Sequence, residues 1–345
     1  MRDRLSYKKA GVDIETADAA KELMAVSLET DDTRVLNRIG AFATLLDGRF
    51  PDYEYPVLVI KTEEPGSKQK LAFEYNRVQS ICFDLVNHLV NDIIVMGARP
   101  LSVQDTIICD HLEKETVSEI VSSIARACRE QDCVLTGGET SEQPGVIKDG
   151  GYVLAASIIG VVEKSGIIDG SKIAEDDVVL AVASNGPHTN GYSLIRALID
   201  RGPEILDSNI EGETFLRAIL RPHKCYYQDF RGLFHFPEIH GLAHVTGGGI
   251  EGNLKRILPA HATSVIDLDA IRILPIFKAI REAGNIDQSD MLRTFNLGVG
   301  MVMVVAKGAV EQVQKHLSGK GCDNYLIGTI TRGNGEVNLR GRLNW

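Results

Sequence analysis

The sequence contains no run of about 18 apolar residues, so a membrane-spanning helix is excluded. Paired cysteines are lacking too. The six that occur (Cys82, Cys109, Cys128, Cys133, Cys225 and Cys322) show no CxxC spacing. Cys82, Cys128 and Cys133 sit inside apolar patterns, which reads as buried thiols in a reducing compartment. There is no surplus of positive charge. With 37 Lys and Arg against 47 Asp and Glu the formal net charge is −10, the wrong sign for a protein that must displace counterions from a nucleic acid. Small anionic substrates stay compatible, because a pocket can be basic inside an acidic protein. The N-terminal stretch MRDRLSYKKAGVDI has no apolar h-region, so no secretory signal is expected and the cytoplasm is the default location. No internal repeat is detectable.

What is present fits a globular protein of two domains. At 345 residues the chain exceeds what one core usually organises. Apolar residues make up 44% and charged residues 24%, close to average usage. The pattern turns polar between Ile167 and Asp176, which puts the expected boundary at 170/171, with domains 1–170 and 171–345. Strand-like and helix-like segments mix in both halves, so two α/β or α+β domains are expected. The 33 glycines gather in short motifs, as ligand-binding loops do.

The most pointed motif is Thr136-Gly137-Gly138-Glu139-Thr140-Ser141-Glu142-Gln143-Pro144-Gly145. Cys133-Val134-Leu135 reads as a short strand, which places this stretch in a loop at its carboxyl end, where open α/β sheets hold ligands. Glycine allows close backbone approach, and Glu139 and Glu142 offer hard oxygens for Mg²⁺ or a general base. A tight turn with a solvated acidic tip fits the same residues. Upstream, the spacing predicts a helix from Ile81 to Met96 with an apolar stripe at 82, 85, 86, 89, 90, 93 and 94. Asp84, Asn87, His88, Asn91 and Asp92 share another face. Short rigid polar groups suit a metal or polar ligand, although a plain solvated face remains the alternative.

In the second half a strand at Asp177–Ala183 leads through Ser184-Asn185-Gly186-Pro187-His188-Thr189-Asn190-Gly191 into a helix, a ligand-presenting arrangement. His188 suits acid–base work or, equally, the capping of that helix. His240 and His244, beside Leu242 and Ala243, read mainly as packing residues. Arg293, ahead of Asn296, either meets an anion or anchors a carboxylate of the fold.

Taken in order, Ser6–Ile14, Asn91-Asp92 with Gly97-Ala98-Arg99-Pro100, GGETSEQPG, SNGPHTNGYSLIR, AHVTGGG and RTFNLGVGM resemble the phosphoribosylformylglycinamidine cyclo-ligase family, the aminoimidazole ribonucleotide synthetases, over essentially the whole chain. The resemblance implies a homodimer whose N-terminal domains pair their sheets across the two-fold. It implies ATP and Mg²⁺ as cofactors, activation of the formamide oxygen of formylglycinamidine ribonucleotide by phosphorylation, and closure of the imidazole ring. Carried over, Lys68, Asp84, Asn91, Asp92, Gly137, Gly138 and Glu139 would handle the nucleotide, with Asp92 and Glu139 on the metal. Asn190, Thr246, Gly247, Gly248 and Asn296 would hold the ribonucleotide, and His188, Asp105 and Arg293 would serve the chemistry.

The chain also departs from the family. Where relatives have a strand followed by G-T-D-G-V-G-T-K, residues 61–68 read KTEEPGSK. Glycines have become Lys61 and Glu64, and Pro65 removes an N–H donor, so phosphate cradling should weaken. Glu29, Asp31 and Asp32 replace a basic segment and should repel phosphate. Val153 and Ala156 stand where relatives carry an aspartate and a glycine. An impaired or regulatory paralogue with weakened ATP binding is therefore the alternative expectation, and a relative acting on another substrate is a third.

Overall fold

The computed structural model describes residues 19, 24, 25, 27–37, 41–148 and 150–345. The motif Ser6–Ile14 lies outside the described residues. Between 17 and 28, residues 19, 24, 25, 27 and 28 are described and are helical. The chain divides into two units, one holding residues up to Val90 together with Arg99–Val161, the other holding Asn91–Ala98 and Val162–Trp345.

The first unit runs β1 (Pro56–Glu63), α1 (Lys68–Glu74), α2 (Val78–Ile94), β2 (Arg99–Cys109), α3 (Lys114–Glu130), β3 (Val134–Glu142) and β4 (Tyr152–Glu163). Its sheet has the order β1-β4-β2-β3, with β2 parallel to β3 and antiparallel to β4. The stripe read from the sequence is the packing face of α2. Cys82, Leu85, Val86, Leu89, Val90, Ile93 and Ile94 are all fully buried, and each large aliphatic among them contributes about 1.5–3 kcal/mol. The helix stops before Gly97, whose φ is +80°. Along β2 burial alternates between a covered face (Val103, Asp105, Ile107) and a more open one (Gln104, Thr106, Ile108). The open face also carries Leu58 and Ile60 of β1, 53% and 68% exposed, as the bond between Thr62 and Ser157 hydroxyls requires, because Ser157 stands opposite Gln104.

One expectation changes here. The GGET stretch is not a loop after a strand but the middle of β3, paired residue by residue with β2: Asp105 with Gly138, Thr106 with Glu139, Ile107 with Thr140. Parallel pairing with β2 extends the strand through residues that lack β propensity, and the turn falls later, at Pro144–Ile147.

The second unit is built on β5 (Val178–Ala183), α4 (Tyr192–Arg201), β6 (Asn209–Ile210), β7 (Glu213–Thr214), α5 (Phe215–Ile219), α6 (Tyr227–Phe230) and β8 (Ile239–His244). There follow α7 (Gly249–Lys255), β9 (Ala262–Asp267), α8 (Pro275–Gly284), α9 (Gln288–Thr294), β10 (Val299–Val305), α10 (Val310–Gly319), β11 (Asn324–Arg332) and β12 (Val337–Arg340). Its six-stranded sheet has the order β12-β9-β11-β5-β10-β8. Strand β10, VGMVMVV, has no polar alternation and is buried at every position, as a strand covered on both faces should be. Among the described residues no helix is long and apolar enough to cross a membrane.

Candidate functional site

In the first unit the carboxylates singled out above meet different environments. Asp105 is 6% exposed, and burial pushes its carboxyl up to about 7. Glu139 is exposed. Because residues in register share a face, Asp105 sides with Gly138 while Glu139 sides with Thr106. Asp105 and Glu139 therefore point to opposite faces of the sheet. Gly138 owes its identity to Asp105: a Cβ there would lie 2.1 Å from the Asp105 carbonyl oxygen and 2.2 Å from Oδ1. Gly137, at φ +123°, has nothing within 4 Å of its missing side chain. Glu142 accepts the Leu112 N–H at 2.8 Å, a bond internal to the unit.

Lys68 and Asp84 form a pair, with Nζ 2.9 Å from Oδ1 and 2.8 Å from Oδ2, and neither side chain has any exposure. Burial lowers the Lys68 pKa and the Asp84 charge opposes that shift. Enclosure of this kind fits an internal ion pair better than a phosphate contact.

The segment that replaces the glycine-rich loop closes on itself. Glu64 Oε2 accepts the Gly66 N–H at 2.8 Å and the Gln69 side-chain amide at 3.2 Å, while Glu63 meets Lys61 at 3.0 Å. A phosphate cradle works by offering free N–H donors, and here a carboxylate uses one of them. The acidic stretch upstream is milder than its sequence implies. Asp32 is bound by the Arg34 guanidinium, with Nε 2.9 Å from Oδ1, and this bond holds its carboxyl below the usual range. One of the three charges expected to repel phosphate is thus offset.

In the second unit the polar end of α2 and three histidines come together. His188 (φ +59°) lies in the loop after β5, His223 in the segment after α5, and His244 at the end of β8. They are 1%, 1% and 5% exposed. The His188 and His223 rings stack with centroids 3.8 Å apart, His223 Nε2 is 3.0 Å from His244 Nε2, and His244 Nδ1 is 2.8 Å from Asp92 Oδ1. Asn91, fully buried, accepts the Tyr226 N–H at 3.0 Å through Oδ1. Its Nδ2 donates to the Lys224 carbonyl at 2.8 Å and lies 3.2 Å from His223 Nε2. The sequence reading had no place for His223, and His244 is more than a packing residue. His240 does not join them: its Nδ1 meets Asp177 Oδ2 at 2.7 Å, beside a cavity of about 230 Å³ lined also by Lys172 and His235.

The glycine loop Thr246–Gly249 is held by Asn190, which the sequence put forward for substrate, together with the Arg293 carbonyl and Asn253. Asn190 Oδ1 accepts the Gly247 N–H at 3.0 Å, and the Arg293 carbonyl accepts the Gly248 N–H at 3.0 Å. Asn253 Nδ2 donates to the carbonyls of Thr246, Gly247 and Gly249. Asn190, Thr246, Gly247, Gly248 and Arg293 are therefore neighbours. Gly247, Gly248 and the Arg293 side chain are exposed, a surface suited to an anion. Asn296 is 3% exposed and its amide is engaged inside the fold, accepting from Ser184 Oγ and the Gly298 N–H and donating to the Gly186 carbonyl.

Comparison with known proteins agrees with this architecture. The family profile described as AIR synthase related protein, N-terminal domain, matches residues 53–162, and that described as AIR synthase related protein, C-terminal domain, matches residues 174–339. A phosphoribosylformylglycinamidine cyclo-ligase of Methylobacillus flagellatus is 41% identical over 338 residues, 97% of each chain. One of Chromobacterium violaceum is 42% identical over 328 residues, covering 94% of this chain and 95% of its own. Among solved structures, Escherichia coli HypE superposes with a TM-score of 0.67 at 18% identity, over 94% of both chains. A hydrogenase maturation protein HypE in complex with ATP superposes at 0.65 and 17% identity, over 94% of this chain and 90% of its own. The structural likeness speaks for the fold; the sequence identity, sustained from end to end, means that the chain belongs to the phosphoribosylformylglycinamidine cyclo-ligase family.

Proposed function

We propose that the protein closes the imidazole ring of aminoimidazole ribonucleotide from formylglycinamidine ribonucleotide at the expense of ATP, in purine biosynthesis, as a cytoplasmic homodimer. The observation that carries this reading is the 41% identity to a curated cyclo-ligase over 97% of both chains. Exposed Gly247 and Gly248, with Arg293 beside them, are the proposed contact for the ribonucleotide, and Asn190 positions that loop through the Gly247 N–H. Arg293 balances negative charge there. Asp105 is the proposed proton carrier, since a carboxyl near neutrality suits either direction of transfer. His188, the other candidate for acid–base work, is buried like Asp105 and stacks on His223.

The exposed carboxylate of Glu139 fits Mg²⁺ in chemical type and would offer it a hard oxygen, whereas Asp92 is engaged with His244 in the second unit. Mg²⁺ supplies neutralisation of charge at the transferring phosphoryl group. The loop from Lys61 to Lys68 fits less well, because Glu64 engages the Gly66 N–H. That observation favours a second reading, a paralogue in which nucleotide binding is weakened. The outward apolar residues Leu58 and Ile60 support the dimer.

Release of ADP dependent on formylglycinamidine ribonucleotide tests the first reading, and no turnover above the ATPase background would end it. Calorimetry with ATP and Mg²⁺ separates the two, since the paralogue predicts no measurable heat of binding.

A further inference from the structure

We infer that Asn253 is a positioning residue for the ribonucleotide: its side-chain amide shapes the glycine loop Thr246–Gly249, a role that rests on the ring-closing reading and on that loop as the contact. Asn253 lies one turn into α7 and is 3% exposed. Side chains on a helix lean back toward its N-terminus, so this amide reaches under the loop that leads into α7. Nδ2 donates to the Gly249 carbonyl at 2.8 Å and to the Thr246 and Gly247 carbonyls at 3.2 Å. Oδ1 accepts the Thr246 hydroxyl at 3.2 Å. The orientation of the amide follows from its surroundings, because carbonyls only accept and the nitrogen must face all three.

The N–H groups of the loop are already taken. That of Gly247 goes to Asn190 Oδ1 at 3.0 Å, that of Gly248 to the Arg293 carbonyl at 3.0 Å, and that of Gly249 to the Thr246 carbonyl at 3.1 Å. With its donors engaged and three carbonyls gathered on one amide, the loop offers a ligand its shape and not free hydrogens. Gly248 and Gly249 need glycine for the fold itself. Their φ angles are +97° and +64°, and a Cβ on Gly249 would lie 1.9 Å from the Leu292 carbonyl oxygen. Gly247 has no such need: its backbone is not left-handed, and a Cβ there would come no nearer than 3.4 Å, to Asn190 Oδ1. Gly247 is also exposed. An exposed glycine that the fold does not require leaves room for another molecule to approach the backbone closely.

Asn253 thus governs two things at once. It fixes where the bare surface of Gly247 stands, and through the bond from the Gly248 N–H to the Arg293 carbonyl it fixes that surface relative to the exposed arginine. A carboxylate cannot take over from this amide, since it has no hydrogen to give and repels all three carbonyls. The same acid regains one donor when protonated, and burial among carbonyl dipoles favours that neutral form. The loss from Asn253→Asp is therefore reversible by acid, which general damage to the fold is not.

Calorimetry of the full chain with formylglycinamidine ribonucleotide alone, at about pH 8 and about pH 5, supplies the test. Circular dichroism reports whether each variant has folded. Asn253→Asp should bind about 10–100-fold more weakly than the parent near pH 8 and recover toward it near pH 5. Asn253→Ser, too short to span the carbonyls, should show the loss without the recovery, and it stands in if Asn253→Asp does not fold. Gly247→Ala should weaken binding about tenfold at either pH, with its urea midpoint no lower than the parent's. A parent that binds no ribonucleotide removes the ring-closing reading and this role with it. Where the parent binds and Gly247→Ala equals it, the loop is not the contact and the inference falls. Where the parent binds and either Asn253 variant equals it, or Asn253→Asp stays equally weak at both pH values, the positioning role alone is overturned.

Discussion

Glu64 turns its carboxylate back onto the N–H of Gly66, 2.8 Å away, within the segment for which the family resemblance implies a glycine-rich loop. The loop is thereby closed by its own acid. Replacing Glu64 with Gly removes a negative charge and returns the N–H to solvent, and a hydrogen bond to a charged group is worth about 1.5–3 kcal/mol. Calorimetry should find ATP–Mg²⁺ binding about tenfold tighter in Glu64→Gly. An unchanged dissociation constant would mean that this segment takes no part in nucleotide binding.

Lys68 and Asp84 compensate each other in full burial. Lys68→Met leaves a buried carboxylate without its partner and should cost about 3–5 kcal/mol in urea unfolding. The double variant with Asp84→Leu should recover most of that loss. If the double variant were no more stable than Lys68→Met, the pair would be doing something other than neutralising itself.

Asp105 gives the stability a pH dependence of definite sign. Its folded carboxyl sits at about 7 against an ordinary 3.8, so between these values the folded state keeps a proton that the unfolded chain has lost. Stability from this group is therefore greatest below 3.8, falls as pH rises, and levels off above 7, with a slope of at most about 1.4 kcal/mol per pH unit. Asp105→Asn should melt higher than the parent at pH 8, with the gap closing toward pH 4 as the slope of roughly 1.4 kcal/mol per unit is removed. Parallel melting curves across that range would contradict the assignment.

Leu58 and Ile60 stand on the open face of the sheet in the first unit, more than half exposed. Charging that face with Ile60→Lys should shift the protein from two chains to one by light scattering, with the far-ultraviolet spectrum unchanged. A parent protein that already runs as a single chain would remove the proposed dimer.

The parts of this fold legible in the sequence are those governed by local periodicity. The stripe on α2 and the unbroken apolar run of β10 each announce their own burial. What escaped depends on partners distant in the chain. The GGET stretch reads as a loop because glycine and glutamate resist β structure, yet pairing with β2 draws it into a strand, and Gly138 answers to Asp105, not to a ligand. Asn296 carries a family motif but uses its amide on Ser184, Gly186 and Gly298. His223 had no local signal at all, since the group that orients it, Asn91, lies 132 residues earlier. Sequence motifs put these residues forward; they did not separate the residues that would face a ligand from those that hold their neighbours in place.

Helix α2 begins in one unit and ends in the other, its last turn supplying Asn91 and Asp92 to the histidines. A gene split at 170/171 would deprive the downstream product of that turn, leaving His244 without its carboxylate and the Tyr226 N–H without its acceptor. The second half is thus not separable as heredity: it could not be shuffled into a new protein without taking along the eight residues Asn91–Ala98 that lie within the first.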